Sequence, residues 1–247
     1  MASPRDTSLR PPPTGLSGTS LDLLGAFELR ADDVPVTLPP HAERLLAFLA
    51  VQGRMLHRAY VAGRLWPDLS EEHAHGCLRT TLWRVGRTAR TVVVDARAAT
   101  VGLDASVWVD MRELEASAER VLHDDGTPAP DDLDRLEHAG ELLPDWYEDW
   151  ALQERERFRL LRLLALEAGS ERLLAEGRYS DASQAALAAL CTDPLRESAH
   201  RLLIRAALGE GNAAEALRQF ASLQVHLRDE LGLEPSAQTQ ELIRGIA

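Results

Sequence analysis

The densest group of chemically capable residues is LRTTLWRVGR, residues 78–87. Wound at roughly 100° per residue, a helix here places Leu78, Leu82, Val85 and Ala89 on one narrow apolar stripe. Thr80 and Arg87 point almost directly away from that stripe. Arg84 flanks them on one side; Trp83, Arg90 and Arg79 flank them on the other. One face can pack while the other offers guanidiniums to guanine edges or phosphates, with a hydroxyl and an apolar ring as secondary contacts. An arginine-bearing polar face is also what an ordinary solvated helix presents. Trp83 likewise either touches nucleic acid or covers a domain seam. The surrounding elements bear on these alternatives.

Upstream, residues 21–38 give short apolar segments split by Gly25 and by Ala31-Asp32-Asp33, predicting three small antiparallel strands. Pro39-Pro40 opens a helix over 41–51 that Gly53 ends. A short helix follows over 58–65, then Trp66-Pro67, then a third helix from about Ser70 to Ala89, capped by Asp68 or Ser70. Thr91–Asp95 and Thr100–Leu103 form a hairpin around Arg97. Strands, three helices and a hairpin follow the winged-helix order. Arg97, at the hairpin tip, is placed either to enter a minor groove or simply as an exposed turn arginine.

Composition narrows the function classes. All 27 basic residues are arginine, so the chain carries neither a P-loop lysine nor a Schiff-base lysine. No Ser-His-Asp, Cys-His or paired-carboxylate signature is present, and a non-enzyme is expected. The net charge of −12 is uneven: residues 21–110 are nearly neutral, and the acidity lies beyond them. Within 76–97, Arg79, Arg84, Arg87, Arg90 and Arg97 face only Asp95, a local field suited to phosphates. Two cysteines are too few for a disulfide framework and fit a reducing cytoplasm. No signal peptide or bilayer-length apolar run is seen, so no membrane partner is expected.

From Asp110 onward the pattern is helical, with helices expected at 110–123, 131–142, 149–176, 179–192, 196–210, 212–231 and 235–246. Residues 175–184 (AEGRYSDASQ) and 209–218 (GEGNAAEALR) match at a spacing of 34, the tetratricopeptide period. Gly177 maps to Gly211, Asp181 to Glu215 and Ala182 to Ala216. The fold class is therefore mainly α with a small β part. A Pro- and Ser-rich tail over 1–20 is expected to be disordered, followed by a winged helix-turn-helix domain over 21–109 and an all-α tetratricopeptide-like domain over 110–247.

Other clusters read more plainly. His73, His75 and Cys77 do not converge on a helix, since residues two apart point to nearly opposite sides. Neither a metal nor a cofactor is expected. Asp32-Asp33 reads as a turn. Trp146, Tyr147 and Trp150 read as core packing or a domain seam, with a ligand cage as the lesser alternative.

Several segments carry a resemblance: LDLLGAFELR (21–30), LWPDLSEE (65–72), LRTTLWRVGR (78–87), LLPDWYEDWALQERERFRLLRL (142–163), DPLRESAHRLLIRAAL (193–208) and DELGLEPS (229–236). Together they resemble regulators of the Streptomyces antibiotic regulatory protein family, a winged helix joined to a bacterial transcriptional activator domain. Without a P-loop, the chain resembles the short type that lacks the ATPase module. The resemblance implies binding of double-stranded DNA at promoter repeats, contact with RNA polymerase, a homodimer on DNA and control of specialised metabolism. It implies Arg79, Thr80, Trp83, Arg84 and Arg87 as recognition-helix residues, with Gly86 standing where many relatives carry a basic residue. The alternative is an interaction scaffold whose helical repeats bind a peptide or effector beside a degenerate winged helix.

Overall fold

The computed structural model describes residues 18–89, 92–124 and 126–246. Of the tail expected over 1–20, all but the last three residues lie outside the described residues, and the chain is already a strand at Thr19. Arg90 and Thr91 also lie outside them. The chain forms two compact units: residues up to Glu113 with Gly140–Glu156, and Leu114–Ala139 with Arg157 onward.

In the first unit, β1 (Thr19–Asp22), β2 (Glu28–Ala31) and β3 (Val34–Pro35) form the expected meander. Next come α1 (Pro40–Gln52), β4 (Leu56–His57), α2 (Arg58–Leu65), α3 (Glu71–Thr88), β5 (Val94–Ala96), β6 (Thr100–Leu103) and β7 (Trp108–Val109). β7 adds to β1 in parallel, giving the sheet order β3-β2-β1-β7. The β5–β6 hairpin gains β4 as a third strand, Leu56 opposite Val101. Sequence reading missed β4 and β7 because two residues are too short to show a period. Pro40 starts α1 one residue early, its ring presetting the helical φ. Gly53 closes α1 at φ +63°, donating its N–H to the Leu49 carbonyl. Leu45, Leu46, Phe48 and Leu49 are fully buried with Leu21, Leu23 and Leu29 from the strands.

One buried carboxylate fixes the end of β1. Asp110 begins α4 (Asp110–His123). It accepts hydrogen bonds from the backbone N–H groups of Leu23 (3.0 Å), Leu24 (2.9 Å) and Met111 (2.6 Å). Burial pushes its carboxyl up to about 7, against the pull of those donors. Leu24 also bridges to Leu142, and Leu143 donates to the Leu23 carbonyl at 2.9 Å. This use of backbone explains why α5 (Pro130–His138) stops short of the expected 142. Residues 140–156 thus pack with the first unit: Trp146 stacks on Phe27, and Trp150 meets Phe48 edge-on at 5.2 Å.

The second unit is helical: α5, α6 (Asp149–Ala175), α7 (Tyr179–Thr192), α8 (Glu197–Gly209), α9 (Ala213–Leu231) and α10 (Ala237–Ile243), with α4 and α6 each entering it in part. The 34-residue repeat is realised in its turns. Gly177 and Gly211 sit at φ +74° and +75°, where a side chain would be strained. After each, the next residue donates back to the preceding helix, Arg178 to Leu173 at 2.9 Å and Asn212 to Ala207 at 2.8 Å. Ala182 and Ala216 are both fully buried at the helix crossings. The repeats also pair by charge at the same spacing: Glu171 with Arg205, and Arg159 with Asp193. The ring of Tyr179 in the first repeat fills the space beside Gly209 of the second, where a Cβ would otherwise stand. Arg162 and Arg172 of α6 donate to carbonyls at the C-terminal ends of α5 and α4.

Two outcomes are expected. A Cβ at Gly209 would lie 2.2 Å from the Tyr179 ring. Gly209→Ala should cost about 1–3 kcal/mol in thermal or urea unfolding, and much less in a Tyr179→Ala background. Asp110→Asn turns an amide donor toward backbone donors and should cost about 1–3 kcal/mol. Because the folded state raises the Asp110 pKa from 3.8 to about 7, it binds the proton more readily than the unfolded chain. Wild-type stability relative to Asp110→Asn should therefore grow as pH falls from 8 toward 5, read by unfolding at each pH.

Candidate nucleic-acid interface

The helix α3 is built to pack by one side only. Glu71 and Glu72 occupy its first turn and Arg87 its last, each favourable to the helix dipole. Ser70 stands at the N-cap position as expected, but its hydroxyl meets His73 Nδ1 at 2.6 Å rather than a backbone N–H. The buried stripe is Ala74, Leu78, Thr81 and Val85, continuing to Ala89. Leu82, expected in the stripe, is only half-buried, and Thr81 takes the core position. Thr81 can do so because its hydroxyl donates to the Cys77 carbonyl at 2.9 Å, satisfying its proton inside the helix. α3 rests on α1 and α2 through this stripe.

The opposite side carries the expected residues. Arg79, Thr80, Trp83, Arg84 and Arg87 are all exposed. Arg79, Thr80 and Arg84 line an open hollow of about 700 Å³, together with His41 of α1 and Trp66 after α2. The Thr80 hydroxyl donates to the Gly76 carbonyl at 3.0 Å, so what it offers outward is its oxygen as acceptor. Trp83 and Arg87, one turn apart, form a separate pair: the guanidinium carbon sits 4.7 Å from the indole centroid. No acidic side chain pairs with Arg79, Arg84 or Arg87 among the described residues.

Arg97 stands apart, in the β5–β6 turn. Its Nε and Nη2 both donate to Asp95, at 3.2 and 2.8 Å, and Asp95 holds the guanidinium proton more firmly than usual. The Arg97 carbonyl accepts from Arg58 Nε at 3.0 Å, and Arg58 N–H donates to Ala99 at 3.0 Å. Sequence reading missed Arg58, the first residue of α2, as the clamp that holds the hairpin tip. Its one signal is an arginine directly after the short β4. His73 and Cys77 line the same hollow as Arg79 and Arg84. Trp146 and Trp150 are packed, whereas Tyr147 between them is exposed.

This one-sidedness has a measurable consequence for folding. Arg79→Ala, Arg84→Ala and Arg87→Ala should each change stability by no more than about 0.5–1 kcal/mol, since all three are exposed and pair with no acid among the described residues. Val85→Ala on the buried stripe should cost about 1–3 kcal/mol. Urea unfolding of the four variants provides the comparison.

The chain matches known proteins along both units. A family model described as the bacterial transcriptional activator domain matches residues 109–247. The Regulatory protein AfsR of Streptomyces coelicolor is 29% identical over 213 residues, which cover 83% of this chain and 21% of that protein. The chain thus spans about a fifth of that relative's length. A structure of Mycobacterium tuberculosis EmbR, solved in complex with a low-affinity phosphopeptide, shares the fold at a TM-score of 0.71 and 21% identity. That likeness covers 91% of this chain and 64% of EmbR. No helix among the described residues is long and apolar enough to cross a membrane. The chain belongs to the bacterial transcriptional activator domain family.

Proposed function

We propose that the chain is a sequence-specific DNA-binding regulator that activates genes of specialised-metabolite, antibiotic-type biosynthesis. One observation carries this reading. The outward face of α3 holds Arg79, Arg84 and Arg87 without an acidic partner among the described residues, directly opposite the buried stripe. A guanidinium with no acid beside it keeps its field and its donors for guanine edges and phosphates. The overall charge of −12 does not oppose this, because the field that matters is local to the helix. The winged-helix domain is taken as residues 21–109 and the activator domain as 110–247.

In this reading α3 enters the major groove, with Thr80 and Trp83 as secondary contacts. Arg97 contributes least, because Asp95 already occupies two of its donors. Two copies bind promoter repeats on one face of the duplex, about 10–10.5 base pairs or a multiple apart. The helical unit serves the homodimer or meets RNA polymerase, and the protein acts in the cytoplasm. The pairing of Arg97 with Asp95 favours a second reading, an interaction scaffold with a degenerate wing.

Gel shifts against the DNA upstream of the protein's own gene, at several salt concentrations, test the proposal. Arg84→Ala and Arg87→Ala should each lose roughly 1–3 kcal/mol of binding. Full affinity in both variants at every salt concentration overturns the recognition-helix assignment. Absence of any salt-sensitive binding by the unaltered protein selects the scaffold.

A further inference from the structure

We propose that Trp83 and Arg87 act as a single reading unit for a guanine with a thymine one or two base pairs away. The inference rests on the DNA-binding reading above and names what this part of α3 selects. Trp83 is the only exposed tryptophan of the five, at 59% exposure. It stands on the polar face of α3, away from the buried stripe, with its ring beneath the Arg87 guanidinium.

The stack settles what Arg87 can do. A guanidinium whose carbon sits 4.7 Å over an indole meets the ring through its π face and spends no N–H donor on an acid, so its donors stay open to bases. Arg97 is the contrast: its Nε and Nη2 are already spent on Asp95. The indole also limits the directions in which Arg87 swings. The planar fork is therefore presented as one oriented edge, which matches the paired N7 and O6 acceptors of guanine. A phosphate, which accepts from many directions, gains little from such orientation.

The indole determines the second base. In the major groove the one apolar group on a standard base is the thymine 5-methyl. An exposed indole facing that groove gains by covering this methyl and loses by covering the polar edges of the other bases. Residues four apart are separated by roughly 6 Å along a helix axis. Base pairs step by about 3.4 Å. The two contacts therefore fall within one or two base pairs of each other.

Selection from a randomised duplex library, with the unaltered full chain, tests the unit. Selected sites should contain a guanine with a thymine within two base pairs. Replacing that thymine by deoxyuridine, which removes only the methyl, should weaken binding about fourfold. Trp83→Ala should remove the methyl effect and relax the guanine preference. Trp83→Leu should keep the methyl effect but relax the guanine preference, because it retains apolar surface without a π face. Arg87→Ala should abolish the guanine preference while the methyl effect persists. Uniform weakening at every sequence in Trp83→Ala, with both preferences intact, overturns the unit and makes Trp83 a protein-contact residue. Enrichment of no sequence by the unaltered protein overturns the DNA-binding reading itself, an outcome distinct from the loss of the pair alone.

Discussion

The first unit depends on a single buried carboxylate. Asp110 gathers the N–H groups of Leu23, Leu24 and Met111, and so joins the end of the first strand to the start of α4. The same stretch of backbone, residues 23–25, also exchanges hydrogen bonds with Glu141 and Leu143. Three segments far apart in sequence therefore meet on one short piece of chain. The arrangement spends the desolvation of an acid to satisfy backbone donors that would otherwise be buried without partners. With that edge fixed, Trp146 and Trp150 are held against Phe27 and Phe48, and the core side of α1 is closed. α3 then packs on α1 and α2 by its buried stripe.

Much of this was legible in the residues. The arginine face of α3 followed from a 3.6-residue period, and the five residues expected on it that are described, Arg79, Thr80, Trp83, Arg84 and Arg87, are exposed. The repeat followed from two glycines 34 apart, and both adopt the left-handed turn that makes glycine necessary. What was hidden has a common physical character. Asp110 has its principal partners 86 and 87 positions away, and nothing local marks it except its place at a strand–helix junction. The pairing of Arg97 with Asp95 depends on the turn between β5 and β6, which spacing alone does not give. Thr81 entered the core in place of Leu82 because a threonine can satisfy its own hydroxyl within a helix, a detail beneath the resolution of a hydrophobic stripe.

The absence of lysine gives the molecule one kind of cation for several tasks. Arg155, Arg162 and Arg172 aim their planar forks at backbone carbonyls, where an ammonium would meet fewer acceptors at once. Arg120 pairs with the buried Asp132 and keeps that carboxyl below the usual range. Arg196 does the same for Glu167: burial works to raise the carboxyl, and the guanidinium and Ser198 outweigh it. In each case the guanidinium is consumed by the fold. The arginines of α3 differ in having no such acceptor among the described residues, and that difference is what leaves them available.

The charge pair between the helical repeats carries an evolutionary implication. Glu171 in α6 meets Arg205 in α8, at equivalent positions of successive repeats. Had the second repeat remained a faithful copy of the first, glutamate would face glutamate. A duplicated segment of this kind is at odds with itself until its copies diverge at the surfaces where they meet. Turn glycines and buried alanines, which serve each copy internally, are free to stay the same. Divergence at the contacts and identity in the turns are thus two results of one stacking geometry. They give the helices an order along the chain that exchange of one copy for the other would destroy.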